Sequence, residues 1–463
     1  MKTNIKIKLN MSVGIIQIGQ CGNQIGLNIF NNLIEEMKNS SEYLSQLICN
    51  SYFTISKTNK FQANSLLIDM ESKVIDKCLK ISEKNGWNYI QDNIIHKHSG
   101  SGNNWANGFF YHGPSVEKAF VETISQFSEK FDTLDSCIII NSLAGGTGSG
   151  LGSYLAVLMK DYFPEINLLN IAVWPNDSGE VVVNSYNTLL SISENYKVSD
   201  LMTVINNQEI FDICKNIYKL KKIGFENLNS IISKHIINMM VPPSYNLDNS
   251  FKSKTYRINS FISDIIYFLG MNQKLKFNQI ISTPEVPPEN LQFTNDSWNS
   301  LSKRGLQILK TGSNESKIDW SFYNTNKINV NSIIEIYRGK NIENMVDDMN
   351  NINNNMTNQY KGKNNKENLN NLNDVSCIKQ YCSDMKVKEA RYKDEHNINN
   401  YDKHLTILAN SNLYCKNIQN CLSKAYEMYE YNAFIHQYEK YGLEKGDFID
   451  AFSFCEQIIS DYK

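Results

Sequence analysis

Ala144-Gly145-Gly146-Thr147-Gly148-Ser149-Gly150 stands between the apolar run Cys137 to Leu143, which reads as a buried strand, and the helical pattern Leu151 to Phe163. Four glycines in six positions at a strand-to-helix turn leave little room for side chains and much for a ligand. Backbone N–H groups of such a turn, with the positive end of the following helix, can face an anion at short range, and Thr147 and Ser149 add hydroxyl donors. A phosphate suits that geometry; for this loop taken alone, a flexible connector remains the alternative. Two familiar phosphate patterns do not fit. The Walker pattern needs Lys and then Ser or Thr after its last glycine, whereas Gly150 precedes Leu151 and Gly152. The dinucleotide fingerprint expects a first strand-helix turn with an acid about twenty residues on, and Asp161 sits within a helical pattern instead.

The same design recurs earlier. After an apparent extension over residues 1–10, the strand Val13 to Ile18 runs into Gly19-Gln20-Cys21-Gly22-Asn23-Gln24-Ile25-Gly26, which opens a helix with apolar residues at helical spacing. Gln20 and Gln24 could donate amides to a phosphate or hold a metal-bound water; for this motif alone, ordinary helix-face polarity is the plainer reading. Ser65 to Asp69 reads as a strand ending at Asp69 and Glu71, where open α/β sheets place ligands, and two carboxylates there can hold the water shell of Mg²⁺. Solvated loop acids are the plainer reading. His98-Ser99-Gly100-Ser101-Gly102-Asn103-Asn104-Trp105-Ala106 is a third small-residue loop, ahead of the helical stretch Ser115 to Phe131.

Farther on, Asp177-Ser178-Gly179-Glu180 opens a loop before the helical Asn184 to Ser193, and Asn206-Asn207 stands between the strand Leu201 to Ile205 and a helix. An Asn there serves as an N-cap or meets a ribose or base. Phe225 and Asn229, four apart, share one helix face. That spacing lets a ring stack on a base while an amide reads its edge, although helix core plus helix surface is the commoner meaning.

The 463 residues suffice for two or three domains, and 41% hydrophobic content can supply their cores. A net charge of −2, from 46 Lys and Arg against 48 Asp and Glu, gives no overall basic field to recruit nucleic acid or anionic lipid. Neither partner is expected. Ten scattered cysteines without a C-x-x-C pair suit a reducing compartment and argue against a zinc site. No run approaches membrane-spanning length, and a cytoplasmic protein is expected.

The second half changes character. Short strands such as Ser332 to Arg338 and Lys403 to Asn410 flank an asparagine-rich stretch, about 341–375, that cannot bury a core and reads as a disordered insertion; the charged Lys386 to His404 is expected to share that looseness. Ile418 to Tyr431 and Asp447 to Tyr462 carry helical apolar stripes. The chain reaches Lys463 without an acidic tail, so partners that read such a tail by charge are not expected.

Together these segments resemble the tubulin superfamily from Met11 nearly to the end, interrupted by the insertion. Gly19 to Gly26, Gly102 to Ala106 and Gly145 to Gly150 match the family's nucleotide loops in order and spacing. Gly100 to Trp105, Trp174-Pro175 with Gly179-Glu180-Val181, and Ala433-Phe434-Ile435-His436-Gln437-Tyr438 look like the delta type. The resemblance implies an α/β fold: a Rossmann-like parallel-sheet nucleotide-binding domain over 11–223, a smaller mixed α+β intermediate domain over 224–412, and C-terminal helices over 413–463. It implies a GTP or GDP site formed by Gly19, Gln20, Cys21, Gln24, Asn103 and Ala144, Gly145, Gly146, Thr147, Gly148, Ser149 and Gly150. Asp69 and Glu71 would hold Mg²⁺ through water, Glu180 and Asn184 would lie by the ribose, and Asn207, Phe225 and Asn229 would take the guanine. Asn184 stands where the alpha and beta types carry glutamate, and Phe225 where they carry tyrosine; binding is expected to survive both changes.

Hydrolysis, by the same resemblance, is completed by an acid of a neighbouring subunit, a position that falls here on Asp264. An acid in a helix's first turn, favoured by the macrodipole, is the structural alternative. The implied role is a component or assembly factor of specialised microtubules (centriole, basal body, flagellar axoneme), with other tubulin subunits, the microtubule lattice and centriole or basal-body proteins as partners. A nucleotide-locked, non-hydrolysing scaffold of the same fold stands beside it. A dinucleotide oxidoreductase is disfavoured because no acid follows the first glycine turn at the required distance.

Overall fold

The computed structural model describes residues 11–130, 133–176, 182–243, 245–246, 260–287, 289–290, 297–312, 328–342 and 387–463. The proposed extension 1–10, Glu180 and nearly all of the asparagine-rich insertion lie outside the described residues.

Six strands form the parallel half of one large sheet: β1 (Met11–Ile18), β4 (Ser65–Asp69), β6 (Ile94–His96), β7 (Thr133–Ser142), β8 (Asn167–Trp174) and β9 (Leu201–Asn206). Between them, β2 (Phe53–Ile55), β3 (Phe61–Ala63) and β5 (Trp87–Asn88) make a small separate sheet. The spatial order of the six is β6-β4-β1-β7-β8-β9, so the chain builds outward from β1 on one side and then restarts at β7 on the other. That reversal opens a crevice beyond the carboxyl ends of β1 and β7, the usual ligand position in an open α/β sheet. The strand β7 is buried without a break from Ser136 to Asn141 and β8 from Leu168 to Trp174 because helices cover both faces. On one face lie α1 (Gly19–Asn39) and α8 (Phe225–Met240), packed against Ile15, Ile138 and Ile140. Toward the other lie α4 (Gly113–Glu129), α5 (Gly152–Tyr162) and α6 (Asn184–Val198).

Beyond β9 the sheet continues as β11 (Phe277–Thr283), β14 (Lys403–Ser411), β12 (Val330–Gly339), β13 (Lys388–Asp394) and β10 (Tyr245–Asn246). The join is short: Phe277 and Asn278 pair in parallel with Met202 and Thr203. Strand β11 then pairs antiparallel with β14, as β14 does with β12. The helices α9 (Phe261–Leu269) and α10 (Trp298–Thr311) accompany this half. Outermost are α11 (Cys415–Glu430), the short α12 (Ile435–Glu439) and α13 (Lys445–Asp461). Their aromatic stripe, Phe448 and Phe452 included, closes on Tyr186 of α6. The helix α6 is buried along nearly its whole length, caught between the sheet and this outer layer. Among the described residues no helix is long and apolar enough to cross a membrane.

One expectation is overturned. The charged stretch Lys386 to His404 is not loose throughout: Lys388–Asp394 is a strand paired in parallel with β12, Ile334 opposite Ala390 and Ile336 opposite Tyr392. Its alternate residues Ala390, Tyr392 and Asp394 are buried, while Arg391 on the other face pairs with Glu389 at 2.8 Å and Glu335 at 3.1 Å. Charges neutralised by a neighbouring strand hide the period of two from a reader of composition.

A buried polar joint ties this second half to the first. Arg338 of β12, 1% exposed, donates from Nη1 to Asn238 O at 2.8 Å and from Nη2 to Val241 O, the last carbonyls of α8 and its cap. Its Nε lies 3.7 Å from Asp394 Oδ2. Asn238 donates to Ser282 Oγ at 3.1 Å, and Ser282 Oγ lies 2.9 Å from His404 Nε2. Glu36 of α1 accepts from the Asn399 N–H at 2.8 Å, and Asn399 Nδ2 donates to Asn238 Oδ1 at 2.7 Å.

Candidate functional site

The crevice is a cleft of about 680 Å³, within the size range of small-molecule sites. Its walls come from every glycine turn singled out in the sequence. Gly19 has a left-handed backbone (φ +70°), and a Cβ there would stand 3.0 Å from Gly148 N, so the first turn is seated on the last. A Cβ on Gly146 would stand 2.8 Å from Asn104 N and 2.7 Å from Ser101 Cβ, which seats the middle loop on the same turn. The middle loop itself bends through Gly102 and Asn103, both left-handed, and Asn is one of the few non-glycine residues that tolerates this. The hydroxyls of Ser101 and Thr147 meet at 2.9 Å across the junction.

Of the candidate residues, Gly19, Gln20, Cys21, Gln24, Asp69, Glu71, Asn103, Ala144, Gly145, Gly146, Thr147, Gly148, Asn184, Asn207, Phe225 and Asn229 line this one cleft. Ser149 and Gly150 do not. Both are buried behind the turn, where the Ser149 hydroxyl donates to Gly145 O and Gly150 packs on the Trp105 carbonyl. The Ser149 hydroxyl thus shapes the turn rather than facing the space above it. Asp264 lies elsewhere. It sits in the first turn of α9, whose cap Ser260 meets Ser136 Oγ at 3.3 Å and donates its backbone N–H to Asp135 Oδ2 at 2.7 Å. Those residues begin β7, whereas the cleft lies past its end, about 20 Å away at ~3.3 Å per residue.

Local chemistry divides the cleft. At one end Asn206 caps α7 (Asn207–Asn216) by accepting from Gln208 N at 2.9 Å, which leaves Asn207 to face the cleft. Phe225 begins α8 and is 55% exposed, an unusual state for a phenylalanine and one that offers a ring face. One turn on, Asn229 donates from Nδ2 to Gln24 Oε1 at 3.0 Å, keeping its own carbonyl oxygen as an acceptor. At the other end burial pushes the Asp69 carboxyl up to about 6, against the pull of the Glu71 and Met70 N–H groups. A nearby cation would relieve that cost. Burial likewise holds the Cys21 thiol up at about 12, so it stays protonated and is no nucleophile.

Several lining residues escaped the sequence reading, Ser142 and Asn176 among them. For Asn176 the available signal was its place just beyond the carboxyl end of β8. Within the cleft lining, Asn184 Oδ1 and Asn176 Oδ1 are buried and have no hydrogen-bond partner among the described residues. A buried acceptor left unmet is costly, and both belong to residues that line the cleft.

Comparison with known proteins agrees with this geometry. A model of the Tubulin/FtsZ family, GTPase domain, matches residues 12–215. Tubulin delta chain of Canis lupus familiaris is 30% identical over 98% of this chain and 99% of its own length. The delta chain of Mus musculus is also 30% identical, with the same coverage. Tubulin beta-6 chain of Gallus gallus is 32% identical, over 47% of this chain and 50% of its own length. Similarity to the delta chains thus runs across both halves of the sheet and the outer helices, and on those grounds the chain belongs to the tubulin family.

Proposed function

We propose that the protein is a guanine-nucleotide-binding tubulin, a structural component or assembly factor of the specialised microtubules of centrioles, basal bodies and flagellar axonemes. The observation that carries the nucleotide reading is the single cleft into which three glycine turns, an exposed ring and a pair of acids converge. A Cβ added to Gly145 would meet nothing within 4 Å, so this glycine keeps open a cradle that the protein itself does not fill. Phosphates there would meet the main chain of Gly145 to Gly148, Gly19 and Gln20, with Asn103 at the side. Asn184 Oδ1 supplies the acceptor that a ribose hydroxyl would satisfy, with Glu180 beside it in the family pattern. Phe225 stacks on the guanine, Asn229 keeps a carbonyl oxygen for the base's N–H edge, and Asn207 completes that end.

The donor set at Asp69 and Glu71 is two carboxylates, and among the described residues no three His, Cys, Asp or Glu side chains converge. That suits Mg²⁺ held through its waters, where the ion would neutralise phosphate charge. Asp264, at the far end of β7 from the cleft, is out of reach of its own chain's nucleotide. Opposite placement supports completion of the site in trans, by stacking with another tubulin subunit, where the carboxylate orients or deprotonates water. Whole-length similarity to delta chains supports the assignment to centriolar and basal-body tubules and to a cytoplasmic, cytoskeletal location.

Mass analysis of the nucleotide released by gentle denaturation of purified protein tests the reading. Bound GDP or GTP is expected; folded protein that comes out empty and ignores added guanine nucleotide overturns it. Phosphate release with and without polymer partners then separates a GTPase from a nucleotide-locked scaffold. Asp264→Ala is expected to abolish the polymer-stimulated part.

A further inference from the structure

The middle and last turns of the cleft are held to one another by a side chain that does not line it. Asn187 of α6 is 0% exposed. Its Nδ2 donates to Asn103 O and to Ala144 O, both at 2.8 Å. Its Oδ1 accepts from the Trp105 N–H at 3.0 Å and from the Tyr438 hydroxyl at 2.7 Å. Two donors and two lone pairs are all that a carboxamide offers, and here all four are engaged. The surroundings also fix which way the amide points: two carbonyls demand the nitrogen, and two N–H or O–H donors demand the oxygen.

Tyr438 belongs to α12, in the outer helical layer, 251 positions along the chain from Asn187. It is fully buried, edge-on to Tyr186 at 5.7 Å and to Phe448 at 5.3 Å, so its hydroxyl is aimed by packing. A second tie runs beside the first. Asn104 donates from Nδ2 to Gln437 O at 3.1 Å, while its Oδ1 accepts from the Asn107 N–H at 3.0 Å. The outer helices therefore touch the glycine-turn end of the cleft through two consecutive residues of α12, and touch the Phe225 end through neither.

We propose that Asn187, oriented by Tyr438, is a positioning residue that sets the spacing of the two turns around the phosphates, so that the outer helical layer tunes phosphate affinity. The inference rests on the nucleotide reading of the cleft. Coupling of this kind is reciprocal: a phosphate in the cleft favours one seating of α12, and whatever displaces α12 loosens the phosphate.

Tyr438→Phe removes the one hydroxyl and leaves the ring packing in place. Binding of GDP and of guanosine, which lacks phosphate, is measured on the purified full chain, with near-ultraviolet circular dichroism as a check of folding. Loss of one neutral hydrogen bond is expected to weaken GDP about three- to tenfold. Guanosine affinity stays unchanged, because the base end is built from other elements. Asn187→Ala is expected to act in the same direction and more strongly; should it fail to fold, Tyr438→Phe decides alone. Equal loss for both ligands, or loss for neither, overturns the positioning role while the nucleotide reading stands. Wild-type protein that binds neither ligand overturns both.

Discussion

The cleft beyond β1 and β7 and the joint around Arg338 are both built of polar side chains, yet one is open and the other is closed on itself. In the joint, Arg338 is engaged by Asn238 O, Val241 O and Asp394, Glu36 by Asn399, and His404 by Ser282. In the cleft, Asn184 Oδ1 and Asn176 Oδ1 are buried without a partner among the described residues, and Phe225 shows its ring to solvent. A polar cluster closed on itself holds the fold together, even with Arg338 Nε in ion-pair rather than hydrogen-bond contact with Asp394. One that opens onto solvent and presents an exposed ring is arranged for something that arrives from outside.

Removing a group from each region should therefore have opposite consequences, and the largest effect is expected at the joint. Arg338→Met takes the guanidinium from buried Asp394, which keeps His396 beside it, and strips the donors from Asn238 O and Val241 O, which should cost about 3–5 kcal/mol in urea unfolding, while guanine-nucleotide affinity of the folded fraction stays as it was. A cost below about 1 kcal/mol would mean that the joint is not held by its charges.

A second, smaller effect depends on pH. Burial pushes the Glu36 carboxyl up to about 7 from an ordinary 4.5, with the Asn399 N–H and Arg338 pulling it partly back. The native state then holds a proton that the unfolded chain releases. Stability from this group is complete below about 4.5 and lost as pH rises through about 7, up to about 3 kcal/mol. Glu36→Gln should flatten that decline in denaturation curves taken between pH 5 and 8. An unchanged slope would assign the pH dependence to other acids.

The smallest effect is expected in the cleft and carries the opposite sign. Asn184→Ala deletes an unmet acceptor in the first turn of α6, where alanine is also the better helix former, so melting of nucleotide-free protein should stay the same or rise slightly. Titration calorimetry should show guanine-nucleotide affinity falling by about 1 kcal/mol. Lower stability with unaltered affinity would move Asn184 from the ligand's side of the comparison to the protein's.

The amino-acid order alone determined the parts whose cause is local. Glycine turns after buried strands announce a close approach wherever they occur, and the apolar runs of β7 and β8 announce a covered sheet. These picked out the turns that wall the cleft, while the family resemblance supplied Asn184, Asn207, Phe225 and Asn229. Folding in three dimensions decided everything that depends on a distant partner. Nothing near Asn187 in sequence says that it will grip Asn103, Ala144 and Tyr438. The strand Lys388–Asp394 was hidden for the same reason, since Arg391 is tolerable beside a buried face only because Glu335 of β12 meets it. A backbone turn carries its conformational preference within a few residues, whereas a buried polar group acquires its role only when packing supplies, or withholds, a partner.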